Sequence, residues 1–244
     1  MRKHAIIGNM PELPYSVEEA INGLRINIGF LGNDIKKIMI ISTMPDEGKS
    51  FVAIQLWRQM AESGTPTILV DADLRKSVTT EKYGIRLENG KIYGTSYYLA
   101  NNFSLEEAIL HTDWECGDIL PNTKNVINPS RLIEGERFDN MLNNLAGRYR
   151  YVFIDTPPLN MVSDGERIGN RCDGAILVVR GGATSKSMVR NSIQQLKRAG
   201  CPLLGIVLNR VEGARSGYYY KKYGGKYYGK YGSKYYSDKY YYKK

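Results

Sequence analysis

Cysteine and histidine are scarce in this chain: of 244 residues, three are cysteine (Cys116, Cys172, Cys201) and two are histidine (His4, His111). An odd number of widely spaced cysteines makes neither a disulfide framework nor a metal knuckle. Two isolated histidines argue against a His-rich metal centre and against a Ser-His-Asp hydrolase. Long apolar runs are missing as well. The longest clean one, Ala175–Val179, falls far short of the ~18 residues that a membrane-spanning helix needs. The basic start Met1-Arg2-Lys3-His4 precedes a short apolar stretch that Gly8-Asn9 ends, too short for a signal peptide. These absences predict a protein of the reducing cytoplasm.

What is present reads as a globular protein with an appendage. Hydrophobic residues make up 42% of the chain and charged residues 24%, which suits a packed core and not a disordered chain. Of the 19 tyrosines, 12 follow Gly217: Tyr218, Tyr219, Tyr220, Tyr223, Tyr227, Tyr228, Tyr231, Tyr235, Tyr236, Tyr240, Tyr241 and Tyr242. The same stretch holds eight lysines and one acid, Asp238, so it carries +7 of the chain's +9 and leaves +2 for residues 1–217. The basicity belongs to the tail, and the near-neutral body gives no sign of specific nucleic-acid binding. Residues 215–244 hold too little apolar material for a core, so a body of residues 1–214 and a flexible tail are expected.

Short apolar runs alternate with helical patterns along the body. After an extended lead-in over residues 1–15, Ser16-Val17-Glu18-Glu19 fits a capping box, and Val17, Ile21, Leu24, Ile28 and Leu31 follow at helical spacing. Strands are expected at Ile38–Ser42, Thr67–Val70, Tyr151–Ile154, Ala175–Val179 and Leu203–Leu208. Helices are expected at Lys49–Ser63, Ser104–His111, Ser130–Leu145 and Ser185–Ala199. Such alternation indicates a parallel sheet covered on both faces.

Three strand ends carry the chemistry. Thr43-Met44-Pro45-Asp46-Glu47-Gly48-Lys49-Ser50 joins a strand to a helix, as a phosphate-binding loop does. Its backbone amides and helix dipole would face an anion, with Lys49 on the outer phosphates and Ser50 on Mg²⁺. The strict pattern has Gly where Thr43 stands. Asp71-Ala72-Asp73 places two acids at the end of the second strand, and Asp155 ends the third. In a parallel sheet these carboxyl ends converge on one crevice, and together they specify a nucleotide site.

In this combination the three segments resemble the Walker A, Walker A′ and Walker B motifs of the bacterial tyrosine kinases of capsule and exopolysaccharide synthesis. Glu18-Glu19…Arg25-Ile26-Asn27, Asn128-Pro129-Ser130 and Asp155-Thr156-Pro157-Pro158 extend the resemblance over essentially the whole chain. Asp71-Ala72-Asp73-Leu74-Arg75 together with the terminal tyrosines is its most diagnostic part. Four positions depart from the family pattern: Asp46 stands for a Gly, Ser77 for a Pro, Asn22 for an Arg, and Arg150-Tyr151 for an acid before the third strand.

The resemblance implies a three-layer α/β P-loop NTPase with a mostly parallel central sheet, as in MinD and ParA, plus the tail. It implies ATP and Mg²⁺ as cofactors, with Pro45, Asp46, Glu47, Gly48, Lys49, Ser50, Phe51 and Asn209 contacting the nucleotide. Ser50, Asp73 and Asp155 would hold the metal, and Lys49, Asp71, Asp73 and Asp155 would act in catalysis, Asp71 as base toward a tyrosine hydroxyl. A base is needed on independent grounds, because a phenol of pKa ~10 is almost wholly protonated at neutral pH.

The resemblance further implies autophosphorylation of the tail in trans within a ring of identical subunits. Glu18, Glu19, Arg25 and Asn27 would form the contact. Glu18, Asn22 and Arg25 do fall within about 60° of each other on one helix face. A separate transmembrane activator would recruit the chain to the inner face of the membrane, a phosphotyrosine phosphatase would oppose it, and sugar-pathway proteins would be its other substrates. Two rivals are a partitioning or site-selection ATPase of the same fold and a P-loop protein whose tail is a nucleic-acid arm. The ATPases usually carry a second Lys early in the loop, and Thr43–Glu47 has none.

Overall fold

Alternation of side chains along four parallel strands divides the core of the computed structural model, which describes residues 3–211. Met39, Ile41, Ile68, Val70, Val152, Ile154, Leu177 and Val179 point to one side of the sheet. Ile38, Ile40, Leu69, Tyr151, Phe153, Ile176 and Val178 point to the other. Each strand is therefore apolar on both faces and needs a helical layer on each.

The elements in chain order are β1 (Lys3–Ile7), α1 (Tyr15–Gly29), β2 (Lys37–Ser42), α2 (Lys49–Glu62), β3 (Thr67–Asp71), α3 (Thr79–Lys82), β4 (Ile85–Leu87), α4 (Thr95–Ala100) and α5 (Leu105–Ala108). They continue with β5 (Leu110–His111), β6 (Gly117–Leu120), α6 (Ser130–Ile133), α7 (Glu136–Arg148), β7 (Tyr151–Asp155), α8 (Asp164–Gly169), β8 (Gly174–Arg180), α9 (Lys186–Arg198) and β9 (Leu203–Asn209). The sheet order is β4-β1-β5-β6-β3-β7-β2-β8-β9. Only the β1–β4 and β5–β6 pairs are antiparallel, so the expected three-layer, mostly parallel α/β architecture is the one found. Residues Ile21 and Ile28 of α1 and Val52–Met60 of α2 cover one face. Phe138, Met141, Leu142 and Leu145 of α7, with Ile168 and Leu196, cover the other.

Several expectations are corrected. The capping box at Ser16 does not form: α1 starts at Tyr15, and the carbonyl of Pro14 already takes the Val17 and Glu18 amides at 2.9 and 3.1 Å. The lead-in is not all extended coil, since Lys3–Ile7 pairs with β4 and β5. The helix expected over Ser104–His111 stops after one turn. Ser104 does cap it, its hydroxyl accepting from the Glu107 amide at 3.3 Å and donating to the Glu107 carboxylate at 2.6 Å, but buried Leu110 is drawn into β5 between β1 and β6. The helix expected over Ser130–Leu145 breaks at Gly135, whose extended backbone starts α7. The boundary at 214/215 and the twelve tail tyrosines lie outside the described residues.

Candidate active site

The register of the sheet brings the acids together before any side chain is considered. In the parallel β3–β7 pair Asp71 lies directly opposite Asp155, and in β2–β7 Ile40 lies opposite Asp155. Strands β3 and β7 thus end at one level, and β2 runs two residues further before the chain leaves it for the phosphate loop. The amide of Ala72 donates to the Asp155 carbonyl at 2.8 Å and fixes the first residue beyond the strand.

The loop is shaped by two left-handed residues and one buried acid. Gly48, at φ +94°, begins α2, and a Cβ there would stand 2.1 Å from Asn209 Nδ2. Only glycine fits. Asp46 is also left-handed, at φ +60°, a conformation that Asp tolerates better than most side chains. The substitution of Asp for Gly at this position is therefore compatible with the loop. Glu47 is 2% exposed. One of its oxygens accepts from the Met44 amide at 2.8 Å, the other from the Arg180 amide at 3.2 Å and from the Thr184 hydroxyl. Its side chain faces the protein and not the crevice, so a nucleotide can meet only its backbone. Thr43, where the strict pattern has Gly, is fully buried and accepts from the Ser192 hydroxyl at 3.2 Å.

Lys49 reaches across to the acids. Its Nζ lies 3.3 Å from Asp73, 3.6 Å from Asp155 and 3.2 Å from the Ser50 hydroxyl. Burial works against the ammonium charge, but Asp155, Asp73 and Asp71 together outweigh it and raise its pKa. Burial likewise raises Asp155, against the pull of Lys49 and Ser50. Asp71, 1% exposed, is pushed up to about 8 by burial first and the Asp155 charge next, with the Ser77 hydroxyl and Lys49 acting the other way. A buried, hydrogen-bonded carboxyl with raised proton affinity beside a lysine at a helix start is an arrangement suited to general-base chemistry on a phosphorylated ligand.

An oxygen-only donor set of Ser50, Asp73 and Asp155 matches a hard cation that keeps several waters and shares phosphate oxygens. Asp155 Oδ1 is buried with no hydrogen-bond partner and lies 3.6 Å from Lys49 Nζ, so it keeps an acceptor for that shell beside the ammonium. No cage of three or more His, Cys, Asp or Glu side chains occurs among the described residues.

Other expected residues are placed as follows. Asn209 ends β9, and its Nδ2 donates to the Glu47 carbonyl at 2.8 Å, so its donor holds the loop while Oδ1 is left for a ligand. Phe51 is half-buried and packs into the α1–α2 face of the core. On α1, Arg25 donates to Asn22 Oδ1 at 2.8 Å and Glu18 pairs with Arg58 at 3.4 Å. Glu19 and Asn27 are exposed. Arg75 grips the buried Asp164 through two nitrogens, at 2.5 and 3.1 Å. Ser77 and Asp164 were not singled out as site residues from the sequence. Ser77 is six residues from Asp71, a separation with no periodic meaning, and Asp164 is 89 residues from its partner.

A family model described as an AAA domain matches residues 35–166. The tyrosine-protein kinase CpsD of Streptococcus agalactiae serotype III (strain NEM316) is 36% identical over 201 residues, covering 82% of this chain and 85% of the relative. The solved structure of the kinase domain of the Escherichia coli tyrosine kinase ETK superposes with a TM-score of 0.73 at 30% identity, over 80% of this chain and 76% of that one. The septum site-determining protein MinD of Pyrococcus horikoshii OT3, complexed with Mg-ADP, gives a TM-score of 0.62 at 25% identity, over 75% and 72% of the two chains. The loop, the paired acids and the strand-end Asp155 lie within residues 35–166, and on its likeness to these kinases the chain belongs to the bacterial tyrosine-protein kinase family.

Proposed function

We propose that this protein transfers the γ-phosphoryl group of ATP to tyrosine hydroxyls of its own C-terminal cluster, Tyr218–Tyr242. The observation that carries the reading is Asp71, a buried carboxyl paired in register with Asp155 and next to Lys49, in a chain that ends in twelve tyrosines. Amides of the loop from Asp46 to Ser50, the α2 dipole and Lys49 receive the phosphates. Asp71 accepts the phenolic proton as the phenolic oxygen bonds to the γ-phosphorus. The bond from that phosphorus to the bridging oxygen breaks and ADP departs. Phosphoryl transfer depends mainly on positioning and charge neutralisation, and Lys49 supplies both. Mg²⁺, held by Ser50, Asp155 and Asp73, would add charge neutralisation on the phosphate oxygens.

Transfer takes place between subunits of a ring-like homo-oligomer, closed through the α1 face of Glu18, Glu19, Arg25 and Asn27. A transmembrane partner draws the chain to the inner face of the membrane and activates it, a phosphatase resets the tail, and capsular or extracellular polysaccharide synthesis is the process served. No helix among the described residues is long and apolar enough to cross a membrane, which is compatible with such a partner. Replacing Glu18, Glu19 and Arg25 together by Ala should lower the mass seen by light scattering and leave ATP binding intact. An unchanged oligomer would remove the α1 contact.

Intact mass after incubation with Mg·ATP is the deciding experiment. A ladder of added phosphates that vanishes on deleting 215–244 is expected. ATP hydrolysis with no gain of mass would favour a MinD-like ATPase, the second reading, which the likeness to MinD keeps in view.

A further inference from the structure

The segment after β3 folds back onto the acid that ends the strand. Asp71 Oδ1 accepts from the Asp73 amide at 3.2 Å, and Asp71 Oδ2 accepts from the Ser77 hydroxyl at 2.5 Å. Ser77 is itself held from the other side: its amide donates to Asn125 Oδ1 at 3.1 Å. The Lys76 amide on Asp73 Oδ1 at 3.1 Å and the Val126 amide on the Leu74 carbonyl at 2.6 Å fasten the rest of the turn. The hydroxyl that reaches Asp71 is therefore placed by its backbone. Lys49 pairs with Asp73 and Asp155 and not directly with Asp71.

Exposure distinguishes the two partners. Asp71 is 1% exposed, whereas Ser77 is only half-buried. Ser77 is thus the solvent-side group bonded to the base, and it is a hydroxyl, the same kind of donor that a tyrosine brings. We propose that Ser77 is a positioning residue for transfer to tyrosine. Its hydroxyl fixes the Asp71 carboxylate and covers Oδ2 until an acceptor hydroxyl takes its place. The inference rests on the kinase reading above.

The exchange is like for like. One hydroxyl donor replaces another on the same oxygen, so the buried carboxylate keeps a partner throughout. A water molecule offers no phenyl ring to press Ser77 aside. Were water to reach Asp71, it would give its proton to the carboxylate and bond to the γ-phosphorus, ADP would leave, and free phosphate would be the product. Ser77 therefore favours tyrosine over water as acceptor.

The test compares wild type, Ser77→Ala and Ser77→Thr in the full chain with Mg·ATP. Phosphate gained by the protein, phosphate released to solution and affinity for a fluorescent ATP analogue are measured side by side. Ser77→Ala should lower kcat for tail phosphorylation about tenfold, from the lost hydrogen bond to a charged group. It should also raise phosphate released per phosphoryl transferred by several-fold, with KM for ATP within about twofold of wild type. Ser77→Thr, which keeps the hydroxyl, should restore both values. Wild-type transfer and wild-type partition in Ser77→Ala overturn the inference, and so does a Ser77→Thr as impaired as Ser77→Ala. A wild type that gains no phosphate defeats the kinase reading instead. Ser77 is then judged on hydrolysis alone, where a rise in Ser77→Ala supports its covering role and an unchanged rate overturns it.

Discussion

Strands β3, β7, β2 and β8 are parallel and buried almost throughout, while β4, β1, β5 and β6 on one flank pair in mixed directions, and all but β1 are shorter than the central strands. The candidate acids sit at or just past the ends of β3 and β7, and the phosphate loop follows β2. On the flank, polar side chains are used to hold strands: His111 and the Tyr149 hydroxyl both bond to Asp118, and exposed His4 bonds to Asp113. The centre tolerates buried charge where a ligand is to be met. The flank spends its polar groups on closure.

The largest effects should come from the centre. Lys49→Met and Asp71→Asn should each lower tail phosphorylation by about 10²–10⁴-fold, measured by intact mass. Lys49→Met should also weaken nucleotide binding, whereas Asp71→Asn should spare it. Full autophosphorylation by either variant would dissolve the contrast between centre and flank.

Stability should respond with the opposite sign at the same residue. In the protein without nucleotide and Mg²⁺, burial and the Asp155 charge raise the Asp71 carboxyl to about 8 from the ordinary 3.8 of the unfolded chain; a bound cation would lower it again and free the carboxylate for its role as base. Between those limits the folded state binds the extra proton, so its stability falls as pH rises. Asp71→Asn should therefore stabilise the nucleotide-free protein by about 2–4 kcal/mol at pH 9 and by much less at pH 4. Urea unfolding at the two pH values checks this, and an equal effect at both would contradict it.

On the flank, Tyr149→Phe should cost about 1–2 kcal/mol, because the buried Asp118 loses a donor, with kcat for tail phosphorylation unchanged. The smallest effect is expected at His4→Ala. Its exposed pair with Asp113 should contribute about 0–0.5 kcal/mol, and a thermal shift of several degrees would show the flank to be more tightly coupled than its contacts suggest.

The same contrast explains what could be read from the sequence. The central strands are legible as apolar runs because both of their faces are covered, and β9 follows the same signal. Their acids are legible as a site because the topology alone brings strand ends together. Residues Leu110–His111 and Ile85–Leu87 make strands too short to carry a period, and their pairing comes from partners far along the chain. Ser16 has the chemistry of a helix cap, but the carbonyl of Pro14 was already in position. The Ser77 and Arg75 contacts depend on how loops close over the sheet, which no local pattern records.

Glu47 ties the middle of the phosphate loop to its own beginning at Met44 and to the end of β8 at Arg180. A loop fastened in this way is already folded when nucleotide arrives. Little conformational entropy of the loop should be given up on binding, so association should proceed as a single encounter step with a rate linear in ATP concentration. Cutting the tie with Glu47→Gln would weaken the acceptor, and with Glu47→Ala would remove it. A plateau in the association rate of the alanine variant would be the trace of a loop that must now be ordered anew at every turnover.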